Sequence, residues 1–199
     1  MRSDDFGAVV AALRAGKPAI VPTDTLYGLA VSPLHAPSPQ VLYEIKGRPS
    51  SKPVAWLVRD AADLDIFGAD VPAYVKSLAQ AFWPGALTII VRASDAVPSA
   101  YRSEAGTIGL RMPDDALTCA IAQEVGCPLA VTSANPSGCP DPHRFADIDP
   151  RIFDKVAAAI DDSRQKSGIG STVVDCTMPT PRILRQGSIT ESAIAAAIR

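Results

Sequence analysis

The sequence predicts an α/β fold built on a mixed sheet. Short apolar runs alternate with segments whose apolar residues recur at helical spacing, which is the pattern of strands alternating with helices. The chain has 18 prolines, and many fall between these segments, where they divide it into short elements. The last predicted strands follow one another without a helix between them, so neighbours there need not be parallel. We therefore expect a twisted sheet with parallel and antiparallel strands, flanked by helices.

The first half of the chain is predicted to form three helices and three strands. Ser3 can cap a first helix that Gly16 ends, and Pro39 can open a second that runs through Ile45. The run from Ala86 to Val91 is continuously apolar, which indicates a strand buried on both faces. The expected helices lie at 3–16, 39–45 and 71–82, and the expected strands at 19–21, 54–58 and 86–91.

The second half is predicted to be richer in strands. A helix should begin at Asp114 or Asp115 and end at Gly126, because an acid suits the first position and glycine the last. Thr190 should cap a final helix that turns Ile194 and Ile198 inward. The remaining strands are expected at 107–110, 129–131, 156–160, 172–174 and 182–184.

Composition favours one domain over residues 1–199 and excludes several classes of protein. Apolar residues make up 47% and charged residues 20% of 199, and the net charge of −2 does not indicate nucleic-acid binding. No apolar run is long enough to span a membrane, and the first five residues do not resemble a signal peptide, so we expect a cytoplasmic protein. Four cysteines without a C-x-x-C pair and two histidines argue against structural zinc and against a Ser-His-Asp triad.

Four segments place small polar residues where a strand ends. In an open α/β sheet such loops meet at a crevice that binds ligands, although the same residues also satisfy local backbone groups. Both interpretations remain open for each segment taken alone. The segments are "PTDTLYG" (22–28), "GTIGLRMP" (106–113), "AVTSANPSG" (130–138) and "SGIGSTVVD" (167–175).

Two further features concern cations. Lys46, Arg48 and Lys52 lie within seven residues, and they form either a phosphate cradle or a solvated basic loop. Arg111 follows an apolar strand, so it needs an anionic ligand, an ion pair within the fold, or an exit to solvent. No Walker motif and no G-x-G-x-x-G motif is present, so a bound nucleotide would be held in another way.

Taken together, the motifs resemble those of the YrdC-like family, the L-threonylcarbamoyladenylate synthases. The resemblance spans about residues 5–198 and implies a YrdC-like mixed sheet with a concave basic cleft, in the short, single-domain form of the family. It implies an enzyme that joins L-threonine, bicarbonate or CO2, and ATP into threonylcarbamoyl-AMP and releases pyrophosphate. The motifs, in chain order, are "PTDTLYGLA", "IKGRPSSKPVAWLV", "WPGALTIIV", "GTIGLRMP", "PLAVTSANPSG", "STVVDC" and "ILRQGSI".

The resemblance also implies roles for single residues. Lys46 and Arg48 are the expected catalytic residues, because they would neutralise charge on the phosphates, and alanine at either should reduce turnover while the fold survives. The expected ATP-binding residues are Arg48, Lys52, Thr107, Ser133, Asn135 and Arg185. The expected threonine-binding residues are Thr25, Arg111, Val131 through its backbone, and Ser171. No metal ligand is assigned. The sequence departs from the family at Lys52, where many members have asparagine, at Leu57, where some have histidine, and at Asp141, whose negative charge makes contact with phosphate doubtful.

The implied cofactor is Mg²⁺, carried by ATP as substrate. The implied partners are proteins that later move the threonylcarbamoyl group to tRNA, with a possible weak contact to tRNA and none to a membrane. A non-catalytic RNA-binding module of the same fold is the alternative, disfavoured by the net charge of −2. A second alternative is a carbamoyl-transfer domain of a larger maturation protein, which the absence of zinc-finger cysteines disfavours.

Overall fold

A computed structural model describes residues 3–198, with side chains from Asp5 onward. The capping role predicted for the Ser3 side chain lies outside these. The helices are α1 (Ser3–Arg14), α2 (Gln40–Lys46), α3 (Asp63–Phe67), α4 (Ala73–Phe82), α5 (Ala116–Val125), α6 (Pro150–Phe153) and α7 (Glu191–Ala197). The strands are β1 (Ala19–Val21), β2 (Gly28–Val31), β3 (Ala55–Leu57), β4 (Gly68–Ala69), β5 (Leu87–Ala93), β6 (Thr107–Arg111), β7 (Leu129–Ser133), β8 (Ala158–Ala159), β9 (Thr172–Asp175) and β10 (Arg182–Arg185).

The strands form one mixed sheet, as the sequence predicts. Their order is β10-β9-β5-β6-β3-β7-β2-β1-β8, and β4 pairs with β5 outside this path. The pairs β3–β6, β5–β9 and β1–β8 are parallel, and the other pairs are antiparallel. Residues far apart in the chain are thereby brought side by side at the centre of the sheet.

The two faces of the sheet pack against different hydrophobic cores. One face packs against the larger core, in which Trp56, Ile89 and Leu110 are buried beside Leu78 of α4. On the other face a smaller core joins α1 and α5 to the β1, β2 and β7 region. Successive residues of a strand point to opposite faces of the sheet, so every other residue of a strand points to this second face. Where α1 and α5 do not cover this face, those residues line the cavity.

Predicted caps are confirmed where side chains are described. Asp115 accepts a hydrogen bond from the Thr118 amide at 2.9 Å, and Thr190 accepts one from Ala193 at 3.2 Å. Gly126 ends α5 with φ of +89°, a left-handed conformation that glycine adopts without strain. These three positions fix where the last two long helical patterns begin or end.

The structure also contains elements that the sequence did not reveal. β2 is not among the strands expected from the sequence, and it is the antiparallel partner of β1. α3, β4 and α6 are too short to show a period, and the strand predicted at 156–160 is reduced to Ala158–Ala159. None of the described helices is both long and apolar enough to cross a membrane.

Candidate functional site

A cavity of about 300 Å³ opens on the free part of the second sheet face. Its floor is made by alternate residues of neighbouring strands, including Ala55 and Leu57 of β3 and Thr107, Gly109 and Arg111 of β6. Its walls are loops. The lining residues that matter below are Thr23, Thr25, Arg48, Thr88, Thr107, Arg111, Val131, Thr132, Ser133, Asp141, Gly170, Ser171 and Arg185.

The turn at 22–27, here called the TDT turn, links β1 to β2 and forms one wall. The Thr23 hydroxyl accepts hydrogen bonds from the Thr25 and Leu26 amides and donates to the Leu26 carbonyl at 2.6 Å. Thr23 thereby satisfies a buried turn internally. The Thr25 side chain is also buried and lines the cavity, and its contact with threonine remains a prediction.

Arg111 is held firmly at the base of this wall. Its guanidinium donates to the Gly85 carbonyl at 2.9 Å, to the Thr25 hydroxyl at 2.8 Å and to Asp24 at 2.5 Å. Burial lowers the pKa of Arg111, and the charge of Asp24 acts against that shift. Arg111 therefore forms the ion pair within the fold that was one of its predicted alternatives, and it also lines the cavity. Its contact with an anionic ligand remains a prediction.

Ser171 and Arg185 form another part of the cavity wall. Arg185 donates to the Ser171 carbonyl at 2.9 Å and to its hydroxyl at 3.1 Å. Thr88 of β5 lies 2.7 Å from the same hydroxyl. The residues predicted for threonine and for ATP thus touch each other at Ser171.

Arg48 and Lys52 behave differently although they are neighbours. Arg48 lines the cavity, and its guanidinium donates to the Pro53 carbonyl at 3.1 Å and the Lys52 carbonyl at 3.3 Å. The Lys52 side chain is exposed and does not line the cavity. Its predicted contact with phosphate remains a prediction.

Lys46 is buried rather than exposed in a basic loop. Its ammonium donates to the carbonyls of Ser133 and Asn135, both at 2.6 Å, and to the Asn135 side chain at 2.7 Å. Burial, with the charge of Arg48, lowers its pKa to about 8. Neither Lys46 nor Asn135 lines the cavity. The expectation that alanine at Lys46 would spare the fold assumes a cation in an exposed loop. Lys46 is instead buried, and it supports the loop at 133–135 through hydrogen bonds to its carbonyls.

The cavity is strongly biased towards anions. The guanidinium groups of Arg48, Arg111 and Arg185 face it, and the charge of Arg185 contributes, after burial, to lowering the pKa values of the other two. Among the described residues, Asp141 is the one acid on the lining. A bound anion would relieve the repulsion between these cations.

Several lining residues were missed by sequence reasoning. Thr23, Thr88, Thr132 and Gly170 line the cavity, and Asp24 fixes Arg111. Alternation along β5 gave a usable signal, because Thr88 is a polar residue within an apolar strand. The burial of Lys46 also had a signal, since it lies four residues after Leu42 on the inward side of α2.

Comparison with known proteins gives a consistent match. The family model Sua5/YciO/YrdC, described as "Telomere recombination", matches residues 11–187. The Threonylcarbamoyl-AMP synthase of Bacillus subtilis is 35% identical over 189 residues, which are 94% of this chain and 55% of that protein. A Putative threonylcarbamoyl-AMP synthase of Mycobacterium tuberculosis is 34% identical over 98% of this chain and 89% of its own length.

Comparison with solved structures finds the same fold. The crystal structure of P. abyssi Sua5 complexed with L-threonine superposes with a TM-score of 0.91 at 30% identity, over 100% of this chain and 59% of that one. E. coli YciO superposes with a TM-score of 0.83 at 24% identity, over 92% of this chain and 89% of that one, which supports the fold. The chain thus spans little more than half the length of some relatives and most of the length of others. With a family match over most of its residues and a shared fold, the chain belongs to the Sua5/YciO/YrdC family.

Proposed function

We propose that this protein is an L-threonylcarbamoyladenylate synthase. The observation that carries the proposal is the convergence of Arg48, Arg111 and Arg185 with a wall of hydroxyl groups on one cavity. The substrates proposed for it, an amino-acid carboxylate and a triphosphate, are both anionic. The names of the relatives and the threonine complex of P. abyssi Sua5 support the same assignment.

Threonine is assigned to the TDT turn side. Arg111 has N–H groups beyond those engaged by Gly85, Thr25 and Asp24, and they are available to a carboxylate. The Thr25 and Ser171 hydroxyls and the Val131 backbone complete this subsite. Its position beside buried side chains keeps the carboxylate in a partly desolvated environment, where a charge-assisted hydrogen bond is strong.

ATP is assigned to the Arg48 and Arg185 side. Arg48, Thr107, Ser133 and Arg185 are the proposed contacts, and Asn135 shapes the loop that carries Ser133 through its bond to Lys46. Lys52, whose carbonyl accepts a hydrogen bond from Arg48, is proposed only as an outer contact. Lys46 is proposed to act through the loop rather than by touching phosphate.

The chemistry requires positioning more than a reactive side chain. The threonine amine forms an N–C bond with CO2 and loses a proton, which gives a carbamate. A carbamate oxygen then forms a bond with the α-phosphorus while the bond to the β-phosphate oxygen breaks and pyrophosphate leaves. Guanidinium groups aimed at phosphate oxygens stabilise the charge that develops, and fixed subsites supply proximity.

The proposed Mg²⁺ belongs with the nucleotide. The described residues contain no group of three or more His, Cys, Asp or Glu suited to hold a metal ion, and the cavity lining offers hydroxyls and Asp141. This donor set fits an ion held largely by phosphate oxygens, which is the usual mode for Mg²⁺ in such sites, with at most one carboxylate from the protein.

The wider setting is also proposed. Residues 1–199 act as one YrdC-like catalytic domain, supported by a single sheet that carries the whole site. Proteins that transfer the threonylcarbamoyl group to tRNA take the product, and tRNA itself makes at most a weak contact. The cytoplasm is the proposed location.

Omitting substrates one at a time tests the proposal. The purified protein should release pyrophosphate from Mg²⁺-ATP only when threonine and bicarbonate are both present. Arg48→Ala should reduce this rate by about ten- to a hundredfold, the loss expected for one charge-assisted contact. Arg92→Ala is the matched control, because Arg92 is an exposed β5 residue outside the cavity lining. Pyrophosphate release at the same rate with and without threonine would contradict the proposed function.

A further inference from the structure

A buried lysine that lies outside the proposed chemistry connects two walls of the cavity. Residues 161–171, here called the strap, run without helix or strand from the end of β8 to β9. The strap ends in Gly170 and Ser171, which line the cavity. Its backbone is bound to the TDT turn, since the Gly168 amide donates to the Thr25 carbonyl at 3.1 Å and the Ser167 amide to the Asp24 carbonyl at 3.4 Å.

The buried ammonium of Lys166 holds the strap in place through two carboxylates. Its side chain is 3% exposed, and its ammonium lies 2.5 Å from an Asp162 oxygen and 3.7 Å from an Asp115 oxygen. The ammonium also sits 5.0 Å from the centre of the Tyr27 ring. A cation in such a place is held by charge and by an aromatic face together.

The partners of Lys166 come from different walls. Tyr27 is the last residue of the TDT turn, and its hydroxyl donates to Asp161 at 3.0 Å and to Asp162 at 2.9 Å. Asp115 caps α5, and Thr118 in the first turn of that helix donates its hydroxyl to the Pro22 carbonyl. One ammonium therefore fixes the strap, the TDT turn and α5 relative to each other.

We propose that Lys166 is a positioning residue for the threonine subsite. It does not line the cavity, so it acts through the strap, which carries Ser171 in the same cavity lining as Thr25 and Arg111. The inference rests on the proposed function, since it assigns those three residues to threonine. On the ATP side, Arg48 bonds to the backbone at 52–53 and Ser133 accepts from Lys46, whereas Arg185 donates to Ser171 of the strap. Because one ATP contact and not the whole subsite touches the strap, ATP binding should depend on Lys166 less than threonine binding does.

Removing the cation should loosen the strap. Without it, Asp115 and Asp162 become buried carboxylates that lack their compensating charge, a strongly unfavourable arrangement. The strap can relieve this by moving Asp162 towards water, and that movement would draw Gly168 away from the TDT turn. The consequence would appear as faster amide exchange in the strap and as weaker binding of threonine.

The test compares Lys166→Met with Lys76→Met. Lys76 is a fitting control, because its ammonium pairs with Asp65 at 2.9 Å on the surface and its side chain is 61% exposed. Hydrogen exchange of peptides covering 22–28 and 161–171 is followed by mass spectrometry, and threonine and ATP are titrated separately by calorimetry. Tyr27→Phe, which removes only the hydroxyl bonds to Asp161 and Asp162, serves as a milder second variant if Lys166→Met does not fold.

We expect Lys166→Met to raise the exchange rate of the strap and the threonine Kd by about tenfold or more, while the ATP Kd stays within about threefold. Tyr27→Phe should shift both readouts in the same direction by a smaller factor, and Lys76→Met should shift neither. Unchanged strap exchange, unchanged threonine affinity, or equal losses for threonine and ATP would overturn the proposal. If the unaltered protein binds no threonine, the proposed function fails, whereas the exchange measurement still decides whether Lys166 holds the strap.

Discussion

At the scale of single residues, Arg111 shows how one side chain serves both the fold and the site. Its three hydrogen-bond partners lie on the loop at 85 and on the TDT turn, so its fork is oriented before any ligand arrives. A planar guanidinium can hold such partners and still present N–H groups to a carboxylate, which a lysine ammonium cannot reproduce. Orientation in advance reduces the entropy lost on binding.

Arg111→Lys should therefore weaken threonine binding by about 1–3 kcal/mol, the range for a charge-assisted hydrogen bond, and also lower the melting temperature. ATP affinity should change much less, because Arg48 and Arg185 remain. Calorimetric titration of threonine, with a melting curve on the same sample, measures both. A lower melting temperature with unchanged threonine affinity would confine Arg111 to its ion pair with Asp24.

Lys46 and Lys52 allow a matched comparison of two cations six residues apart. Lys46→Ala leaves the buried carbonyls of Ser133 and Asn135 without their donor, and should lower the free energy of unfolding by on the order of 3 kcal/mol. Lys52→Ala should change it by less than about 0.5 kcal/mol, because that side chain is exposed. Urea denaturation of both variants decides the matter, and equal stabilities would contradict the role given to Lys46.

At the scale of elements, the strap depends on the ionisation of Asp162. Burial raises the pKa of Asp162, but hydrogen bonds from Lys166 and Tyr27 outweigh it, so the pKa lies below its usual value. A carboxyl of lowered pKa contributes stability that is present above its unfolded pKa and is lost as pH falls through its folded pKa. The contribution should be complete at neutral pH and should disappear only in acid.

Asp162→Asn should accordingly destabilise the protein at pH 7 by about 3 kcal/mol, the scale for removing one partner of a buried ion pair. The difference from the unaltered protein should narrow as pH falls below about 4, near the ordinary pKa of an aspartate. Urea unfolding at a series of pH values measures it. A difference that stays constant down to pH 2 would show that the charge of Asp162 is not the stabilising feature.

Gly187 controls how closely the end of β10 approaches the strap. A methyl group at this position would collide with the backbone of Gly170, Ser171 and Thr172. Gly187→Ala should therefore displace Ser171 and reduce turnover by about tenfold or more, as expected when a subsite is misplaced by an ångström. Gly7→Ala is the control, because a methyl group there meets nothing within 4 Å. Normal turnover of Gly187→Ala would show that this close approach does not position Ser171.

The elements that could be predicted from the sequence are those whose limits are set by residues close together in the chain. Apolar runs bounded by proline gave β1, β5 and β7, and the capping residues Asp115, Gly126 and Thr190 gave helix limits. Thr25, Arg48, Arg111, Ser133, Ser171 and Arg185 were predicted as site residues, and the structure gathers them around one cavity. The strap was not predictable, because its order comes from contacts among Lys166, Asp162 and Tyr27. Tyr27 lies 135 positions before Asp162, and no period in the sequence links them.

At the scale of the whole molecule, the site exists because helices cover the second sheet face only in part. α1 and α5 pack over the β1, β2 and β7 region, and strand alternation delivers the cavity floor beside them. The opposite face carries the larger core, so the floor rests on buried residues such as Trp56 and Leu110. A rigid floor with loop walls suits a reaction that depends on holding separate substrates in line.

We propose that this one cavity joins threonine, bicarbonate and ATP. The most direct measurement is the mass of the nucleotide product formed with ¹³C-bicarbonate, unlabelled threonine and Mg²⁺-ATP. We expect one adenylated product that contains both the threonine and the labelled carbon, formed together with pyrophosphate and absent when threonine is omitted. An adenylated product without the labelled carbon, or no adenylated product at all, would contradict it.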